Sequence, residues 1–589
     1  MTTYIPPVRD ITFTLEEVAG LSAVAALPGF EDASPDLVGS ILDEAGKIAE
    51  QVIAPLNRLG DQEGAVLKGG KVSLPKGWQE AWDMLIEGGW NGVSFPADVG
   101  GMGLPNVLNT AVQEMWHSAN MAFALCPMLT QGAVNAIAHY GSDAQKALYL
   151  PRMVSGEWTG TMNLTEPTAG SDLAAVRTLA VPAGDHYKVS GQKIFITYGD
   201  HEMTENIIHL VLARLPDAPA GVKGISLFIV PKILEDGSRN DVHCVSLEHK
   251  IGIHASPTAV MSFGDHGGAV GYLVGEPNRG LEYMFTMMNH ARQSVGLQGL
   301  AIAERAYQQA LGYALDRVQG RPAGWTGKMP TTIVNHPDVR RMLMDMKTRI
   351  NAMRGLTYMA AAAVDVAAVH PDADAREKAA RRVELLTPIV KGWCTETAQL
   401  VVTDGVQIHG GMGYIEETGA AQHFRDARIT TIYEGTTAIQ ANDLVMRKTL
   451  RDKGAAVHEL LTEITDGAAA LKDAAHPGLQ RLGAALAAGA ASAAEVVSWL
   501  LASEDARDPA AAAVPYLKLM GILVGGHCLG LEARAAVAAL SAGRSEPLLA
   551  TKPVMAEYYA AHVLPETSAL AAAATAGGAL VMALDTEQL

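Results

Sequence analysis

The chain has 589 residues and a mass of 62.0 kDa, more than a single hydrophobic core usually supports, so we expect several domains or a large helical assembly. Hydrophobic residues make up 49% and charged residues 18%, a balance that excludes a largely disordered chain. The net charge of -18 argues against a protein that mainly grips nucleic acid or an anionic membrane, because both need a positive field.

The four cysteines are far apart, with neither a CxxC pair nor the spacing of a zinc site; they are Cys126, Cys244, Cys394 and Cys528. We therefore expect reduced thiols and no metal. The opening MTTYIPPVRDITF lacks the basic and apolar regions of a signal peptide, so we expect a cytoplasmic protein. The most apolar stretches near the C-terminus are rich in alanine, which forms helices but anchors poorly in lipid, so no membrane span is predicted.

The first half of the chain is predicted to change from helix to strand. After an N-terminal extension, residues 1–34, apolar residues recur at helical spacing and predict a helical domain over residues 35–159. Within it, the tripeptide Gly141-Ser142-Asp143 is predicted to end one helix and cap the next. Alternating β-branched and polar residues, as in HYKVSGQKIFIT, then predict a β-rich middle domain over residues 160–279.

The second half is predicted to be helical again. Residues 280–452 carry long amphipathic patterns broken by the glycine-rich QIHGGMGYIEETG, and residues 453–589 form an alanine-rich helical domain with a break at Pro509 and Pro515. No strand leads into a GxGxxG turn, so a Rossmann nucleotide site is disfavoured.

One segment at the start of the β domain combines groups that suit a ligand. MNLTEPTAGSDLAAVRT, residues 162–178, brings together hydroxyls, carboxylates and a Pro-Thr-Ala-Gly turn whose backbone amides can approach a ligand. Taken alone, it also fits a turn whose polar side chains bond to one another.

This segment resembles the TEPxAGSD signature of acyl-CoA dehydrogenases, and the resemblance extends over nearly all the chain. It implies a mainly α fold with a β-barrel middle domain, FAD as cofactor and, at the C-terminus, an additional helical domain. In this family the loop and the strand KIFIT, which carries an aromatic residue beside the isoalloxazine ring, contact FAD. The implied FAD contacts here are Met162, Leu164, Thr165, Gly170, Ser171, Phe195 and Thr197, with Ser171 also near the substrate.

Two further matches follow in the correct order. LEHKIGIHASPTAVMSF is similar to the family's ExKxGxxxS segment, and MNHARQSVGLQ is similar to a helix that lies along the CoA and acyl moiety. By resemblance, Asn289 and Arg292 contact substrate and Arg317 contacts the FAD pyrophosphate of a neighbouring subunit, a role that suits a bidentate guanidinium. Gln319 and His336, the implied cofactor contacts beside Arg317, depart from the family's usual aromatic-glycine step and Gln.

The strongest match is QIHGGMGYIEETGAAQHFRDARITTIYEGTTAIQ, residues 407–440. It contains the family's QxxGGxGY turn, which meets the adenosine-diphosphate part of FAD across a subunit boundary, and its YEGT loop. The resemblance implies a homodimer or homotetramer in which Gln407, Gly410, Gly411, Thr436 and Ala438 contact FAD, and Tyr433 and Gly435 contact the acyl-CoA substrate.

Glu434 occupies the family position of the catalytic base. Removal of an α-proton from an acyl-CoA needs a carboxylate whose pKa is lifted from about 4.3 towards neutrality by an apolar site. Some relatives place the glutamate on the helix of the MNHARQ match, but the corresponding residue here is Ala291. The resemblance therefore leaves Glu434 as the base.

Three questions stay open at this level. An acyl-CoA oxidase shares the fold, although we expect an electron-transfer flavoprotein as electron acceptor. A DNA-associated flavoprotein relative would carry a basic C-terminal domain, whereas acidic residues outnumber basic ones after residue 455. The YxxPxRD opening and the C-terminal extension resemble a branch that includes enzymes for 3-(methylthio)propanoyl-CoA, which favours a short acyl group.

Overall fold

A computed structural model describes residues 4–589. Within those residues the helices are α1 (Val8–Glu17), α2 (Leu21–Ala25), α3 (Pro35–Ile48), α4 (Ala54–Glu63), α5 (Trp78–Glu87), α6 (Asn106–Ala119), α7 (Met121–Tyr140), α8 (Asp143–Ser155), α9 (Gly280–Asp316), α10 (Pro337–Val369), α11 (Ala373–His409), α12 (Ala420–Ala427), α13 (Thr437–Asn442), α14 (Ala455–Lys472), α15 (Pro477–Ala502), α16 (Asp508–Ser541), α17 (Pro547–His562), α18 (Glu566–Ala574) and α19 (Gly578–Val581). The strands are β1 (Val66–Lys68), β2 (Lys71–Ser73), β3 (Trp158–Asn163), β4 (Leu179–Ala183), β5 (His186–Thr197), β6 (Asn206–Arg214), β7 (Ile225–Pro231), β8 (Val242–Leu247), β9 (Thr258–Phe263) and β10 (Ala269–Val274).

The chain forms two compact units that do not follow the linear order of the sequence. The barrel unit consists of Lys47–Leu104 and Ala119–Ala291, and the helical unit consists of the residues up to Gly46 together with Pro105–Ser118 and Arg292–Leu589. The segment predicted as one N-terminal helical domain, residues 35–159, is therefore divided between the two.

The barrel unit contains a closed β-barrel, as predicted. Its strands follow the order β10-β7-β6-β4-β5, and a further pairing of β10 with β5 closes the ring. The twelve-residue β5 makes this possible because Tyr187 to Val189 pairs with β10, whereas the later residues continue into a pairing with β9. Side chains such as Val189, Phe228 and Met261 fill the interior.

The predicted helix cap at Ser142 is confirmed. Its hydroxyl accepts a hydrogen bond from the Gln145 backbone N–H at 3.2 Å, and the Gln145 side chain accepts one from the Ser142 N–H at 2.9 Å. This reciprocal arrangement satisfies two donors at the start of α8 that would otherwise have no intrahelical partner.

The helical unit is a set of long helices packed around one core, which includes Met353, Leu386 and Leu523. Asp365 on α10 accepts hydrogen bonds from the backbone N–H groups of Asn106 at 2.7 Å and Val107 at 2.9 Å, and so binds the start of α6. α16 runs unbroken from Asp508 to Ser541 with Pro515 inside it. The predicted break is confirmed at Pro509, because α15 ends at Ala502 and Pro509 is the second residue of α16, but it is wrong at Pro515, which lies inside α16 without interrupting it.

The first helix is anchored by residues more than five hundred positions away. Lys552 Nζ lies 3.1 Å from Asp10 Oδ1 and 3.0 Å from Glu532 Oε2, and the Thr14 hydroxyl donates to Glu532 Oε1 at 2.5 Å. Because Lys552 and Glu532 are fully buried, these contacts fix α1 against α16 and α17.

Four helices are long and apolar enough to cross a membrane by length and composition. Their most apolar windows are 89% buried in α7, 72% in α10, 39% in α15 and 83% in α16. Three of the four therefore bury most of that window inside the protein, as packed core helices do.

Candidate active site

The TEPTAGSD loop is tied to strand β5 by a buried ion pair. Glu166 Oε1 lies 2.8 Å from Lys193 Nζ, which also donates to the Leu164 carbonyl at 3.0 Å. The Ile194 N–H donates to the Thr165 carbonyl at 2.9 Å. The fold thus brings the predicted FAD contacts of the loop, Met162 to Ser171, next to the strand that carries Phe195 and Thr197.

Glu166 holds both ends of the loop. It accepts hydrogen bonds from the backbone N–H of Arg177 at 2.7 Å, and from the N–H and hydroxyl of Thr178 at 3.0 and 2.6 Å. Burial acts to raise the pKa of Glu166, but Lys193 and these donors outweigh it and lower the pKa below its ordinary value. Glu166 is therefore ionised and structural.

Phe195 is presented outward by an unusual backbone conformation. Its φ of 62° is left-handed, which is uncommon for a residue with a Cβ, and the β5–β9 register shifts between Lys193 and Ile196. As a result its side chain is 57% exposed within the chain. An exposed aromatic ring at a bulge suits the face of a planar ligand.

The other predicted FAD contacts lie at one end of the helical unit. His336 Nε2 lies 2.9 Å from the Gln319 carbonyl oxygen, so these two residues meet just beyond Arg317, which is exposed. The ring of His409, at the end of α11, stacks on Tyr313 of α9 with centroids 4.5 Å apart. This contact brings the exposed turn that follows His409 close to the end of α9.

Gln407 is exposed on the last turn of α11, and the two glycines that follow it are open to solvent. Gly410 has a φ of 60°, and no heavy atom lies within 4 Å of a Cβ placed on Gly410 or Gly411. Backbone N–H groups in such a turn can approach an anion without obstruction.

Glu434 lies in a loop that is fastened to two helices. The Tyr433 hydroxyl donates to Gln298 Oε1 of α9, and the Thr437 hydroxyl donates to Glu396 Oε1 of α11 at 2.7 Å. Glu434 has a left-handed φ of 56°, and Gln440 Nε2 donates to its carbonyl at 3.0 Å. A left-handed glutamate costs about 1–2 kcal/mol, which the surrounding hydrogen bonds offset.

The end of this loop starts α13. Thr436 caps the helix, its hydroxyl accepting from the Ile439 N–H at 3.4 Å, Gly435 has a φ of 91°, and Ala438 is exposed. The conformation at Gly435 is left-handed, which favours glycine at this position.

The carboxyl group of Glu434 has no hydrogen-bond donor within residues 4–589. Burial raises its pKa to about 7, although Arg292 and Lys391 act to lower it. A carboxylate with a pKa near neutrality is suited to take a proton from a weak carbon acid at physiological pH.

Arg292 is 6% exposed, and its Nη1 lies 3.4 Å from Asp443 Oδ2. The structure therefore places this predicted substrate contact among the charges around Glu434. Asn289 precedes it on α9 and is exposed.

Profiles of known families match nearly the whole chain. The acyl-CoA dehydrogenase N-terminal, middle and C-terminal domains match residues 40–157, 161–266 and 278–449, and an acetyl-CoA dehydrogenase C-terminal-like domain matches residues 458–585. The 3-methylmercaptopropionyl-CoA dehydrogenase of Ruegeria pomeroyi is 50% identical over 577 residues, which cover 96% of this chain and 97% of that protein. The chain belongs to the acyl-CoA dehydrogenase family.

Two further relatives share less sequence with this chain. A broad-specificity linear acyl-CoA dehydrogenase of Mycobacterium tuberculosis is 36% identical, with 96% of each chain covered. The crystal structure of a Bacillus anthracis acyl-CoA dehydrogenase complexed with FAD has the same fold, with a TM-score of 0.74 at 20% identity, covering 94% of this chain and 90% of that one. As a member of this family, the protein is an FAD-dependent oxidoreductase.

The residues present fit FAD. In the barrel unit, the hydroxyls of Thr165, Ser171 and Thr197 make no hydrogen bond within the described part of the chain, and the Phe195 ring beside them is exposed. In the helical unit, Gly410 and Gly411 leave backbone amides open. Hydroxyl donors beside an exposed ring suit a flavin, and the open amides suit a pyrophosphate.

Two buried lysines, one in each unit, were not predicted from the sequence. Lys193, the partner of Glu166, and Lys391, beside Glu434, are both 0% exposed. Lys193 stands two residues before the predicted Phe195, so its position in KIFIT was a usable signal. Lys391 lies in an ordinary helical pattern, and nothing in that pattern distinguishes it from a surface lysine.

Outside this site, the described residues bring together Asp241, His243 and His266, whose ligand atoms lie within 4.8 Å of one another. Asp241 Oδ1 is 3.1 Å from His243 Nε2 and 3.2 Å from His266 Nδ1. These are hydrogen-bond distances, so the three side chains satisfy one another without an ion. All four cysteines, which belong to the described part of the chain, are free thiols.

Proposed function

We propose that the protein converts an acyl-CoA thioester to the trans-2-enoyl-CoA, with Glu434 as the base that removes the α-proton. The observation that carries this proposal is the Glu434 carboxyl itself, which has a pKa raised to about 7 by burial and no hydrogen-bond donor among residues 4–589. A carboxylate that is not already committed to protein donors is free to accept a proton from a substrate.

The remaining residues bind and orient. The hydroxyls of Thr165 and Ser171 and the ring of Phe195 would hold the flavin, and the amides of Gly410 and Gly411 would hold its pyrophosphate. When bound, FAD supplies the acceptor for the hydride that leaves the β-carbon. The Glu434 backbone N–H is directed by the left-handed loop and would donate to the thioester oxygen, where negative charge develops as the proton leaves.

The direct test is Glu434→Gln. We expect the variant to bind FAD and acyl-CoA but to reduce its flavin about 10²- to 10⁴-fold more slowly in stopped-flow experiments, because an amide cannot accept the proton. Glu417→Gln, an exposed glutamate in the same domain, is the matched control and should behave as the parent. A Glu434→Gln enzyme with parent-like flavin reduction would show that the proposed mechanism is wrong.

For the substrate, we propose a short acyl-CoA, with 3-(methylthio)propanoyl-CoA as the first candidate. The support is the 50% identity, over nearly the whole of both chains, to the Ruegeria pomeroyi enzyme that is named for this substrate. Turnover of an acyl-CoA panel with an artificial electron acceptor tests it. A kcat/KM for palmitoyl-CoA well above those for butanoyl-CoA and 3-(methylthio)propanoyl-CoA would reject it.

We further propose a cytoplasmic homodimer or homotetramer that passes electrons to an electron-transfer flavoprotein. Met412, Tyr414 and Ile415 are 47%, 87% and 45% exposed beside the Gly410-Gly411 turn, and such an apolar patch suits a subunit interface. A flavin-loaded monomer in sedimentation would contradict the assembly. Hydrogen peroxide formed as fast as dye-coupled turnover would favour the acyl-CoA oxidase alternative.

A further inference from the structure

Lys391 is a buried cation in the middle of α11. Its side chain is 0% exposed, and its Nζ has no hydrogen-bond acceptor among residues 4–589. A buried ammonium group without an acceptor loses hydration and gains no hydrogen bond in return, so its retention calls for a physical explanation.

Helices α9 and α11 pack closely on either side of Lys391 along the chain. A Cβ on Gly296 of α9 would lie 2.4 Å from Val390 Cγ1, so only glycine allows this close approach one residue before Lys391. One turn earlier, Gln293 Nε2 donates to the Thr387 hydroxyl at 3.0 Å and fixes the register of the two helices.

The loop that carries Glu434 is attached to both α9 and α11. Tyr433 hydrogen-bonds to Gln298 of α9, and Thr437 hydrogen-bonds to Glu396, five residues beyond Lys391 on α11. Glu434 stands between these two attachment points.

The charges around Lys391 come from each of these elements. Glu434 in the loop and Glu396 on α11 favour the ammonium form, whereas Arg292 on α9 opposes it. Glu396 is also 3.8 Å from Lys518 of α16, and Arg292 is paired with Asp443 at 3.4 Å. Arg292 and Glu396 therefore each have another ion-pair partner, whereas the Glu434 carboxyl has no such partner within the described part of the chain.

Accordingly, we propose that Lys391 is a positioning residue for proton abstraction: its desolvated charge, held beside the Glu434 loop without an acceptor of its own, keeps the Glu434 carboxylate ionised and ready to accept the α-proton. This inference rests on the proposed function of Glu434. The lack of a direct ion pair between Lys391 and Glu434 is important for this role, since a hydrogen bond from Lys391 would occupy the carboxylate oxygen that must accept the proton.

Burial alone would raise the pKa of Glu434 still further, and Lys391 and Arg292 both act against that rise. Removal of the Lys391 charge should therefore displace the acid limb of the pH–rate profile towards alkaline pH. Burial lowers the pKa of Lys391 to about 7, so its charge acts on Glu434 at and below neutral pH. The active form of Glu434 is the carboxylate, so the variant should be slow there and converge on the parent at high pH.

The test is the pH dependence of kcat/KM for flavin reduction in FAD-loaded enzyme from pH 5 to 10. For Lys391→Met we expect a displacement of one pH unit or more, hence about tenfold slower reduction at pH 7 with convergence on the parent by pH 9.5. Lys391→Arg, which keeps the charge, should keep the limb near the parent's. Lys518→Met, the matched control, removes a half-exposed neighbouring lysine and should not move it.

Each outcome decides the matter. A uniform loss of rate at all pH values, or an unmoved limb, would overturn the proposal. Lys391→Gln is a second variant without the charge. If Lys391→Arg binds FAD but both Lys391→Met and Lys391→Gln fail to bind it, the role of Lys391 is structural and the proposal is wrong. If Glu434→Gln is inactive and the acid limb of the pH–rate profile of Lys391→Met is not displaced, only this inference is rejected. If Glu434→Gln is active, the proposed function is rejected.

Discussion

Two glutamate–lysine pairs, one in each unit, show how the same residue types are used for opposite purposes. Glu166 is in contact with Lys193 at 2.8 Å and accepts three further hydrogen bonds from Arg177 and Thr178. The carboxyl group of Glu434 accepts none from the described residues. Both carboxylates lose hydration on folding, yet the pKa of Glu166 is lowered and that of Glu434 is raised to about 7. The number of donors, rather than burial, separates a structural carboxylate from a reactive one.

The lysines repeat the contrast. Lys193 donates to Glu166 and to the Leu164 carbonyl, and burial lowers its pKa only to about 8. Lys391 has no acceptor, and burial lowers its pKa to about 7. A charge without hydrogen bonds acts on its surroundings at a distance, which suits tuning, whereas a bonded charge fixes geometry.

We expect the largest effect from breaking the buried ion pair between Glu166 and Lys193. Lys193→Met leaves Glu166 buried without its cation and should lower the free energy of unfolding by about 3–5 kcal/mol, with loss of FAD. Lys71→Met is the matched control, because Lys71 and Glu202 are also 2.8 Å apart but 71% and 52% exposed. Thermal unfolding and flavin content measure both variants. Equal, small effects would mean that the buried pair does not hold the loop.

Neutralising Glu434 should have the opposite effect and stabilise the protein. The folded-state pKa of Glu434 lies above its ordinary 4.5, so the folded protein holds this proton more tightly and loses stability as the pH rises from about 4.5 through 7. Glu434→Gln removes that loss and should raise the free energy of unfolding by roughly 3 kcal/mol above pH 7, but little at pH 5. Thermal midpoints at pH 5 and 8 check it. A destabilised variant at pH 8 would contradict the contrast.

The same pKa predicts the pH dependence of catalysis. Because the ionised Glu434 is the active form, kcat/KM for flavin reduction should fall about tenfold per pH unit below pH 7, and about a hundredfold by pH 5. The measurement is a stopped-flow profile at constant ionic strength. A profile that stays flat down to pH 5 would exclude a base with this pKa.

We expect the smallest effect at Asp365, a buried carboxylate whose hydrogen bonding is intermediate between that of Glu166 and that of Glu434. Asp365 accepts two backbone N–H bonds but has no cation, and burial raises its pKa to about 7. Asp365→Asn keeps an acceptor for α6 and should change the free energy of unfolding by less than about 1 kcal/mol, whereas Asp365→Ala should lose about 1–3 kcal/mol. Thermal unfolding at pH 6 compares them. A large loss of unfolding free energy in Asp365→Asn would mean that the two backbone hydrogen bonds contribute less to stability than we infer.

The sequence was sufficient for features that depend on local pattern. The strands of residues 160–279 and the helix cap at Ser142 follow from alternation and capping residues within a few positions of each other, whereas the closed barrel was implied by the family resemblance. It was not sufficient for features that depend on burial. Lys193 and Lys391 become chemically distinct only when other segments exclude water from them, and that depends on packing between distant residues. Pro515 was predicted to break a helix because proline removes a backbone donor, yet α16 continues through it.

The anchoring of α1 has a consequence for how the chain is made. Asp10 and Lys552 are separated by 542 positions, so a ribosome has to synthesise almost the whole protein before α1 can make this ion pair. At about 5–20 residues per second this takes on the order of 30–100 s, during which the face of α1 that meets α16 and α17 stays without those partners. A nascent-chain chaperone that shields apolar helix faces therefore has a long interval in which to bind α1, and release of the finished C-terminal helices ends that interval.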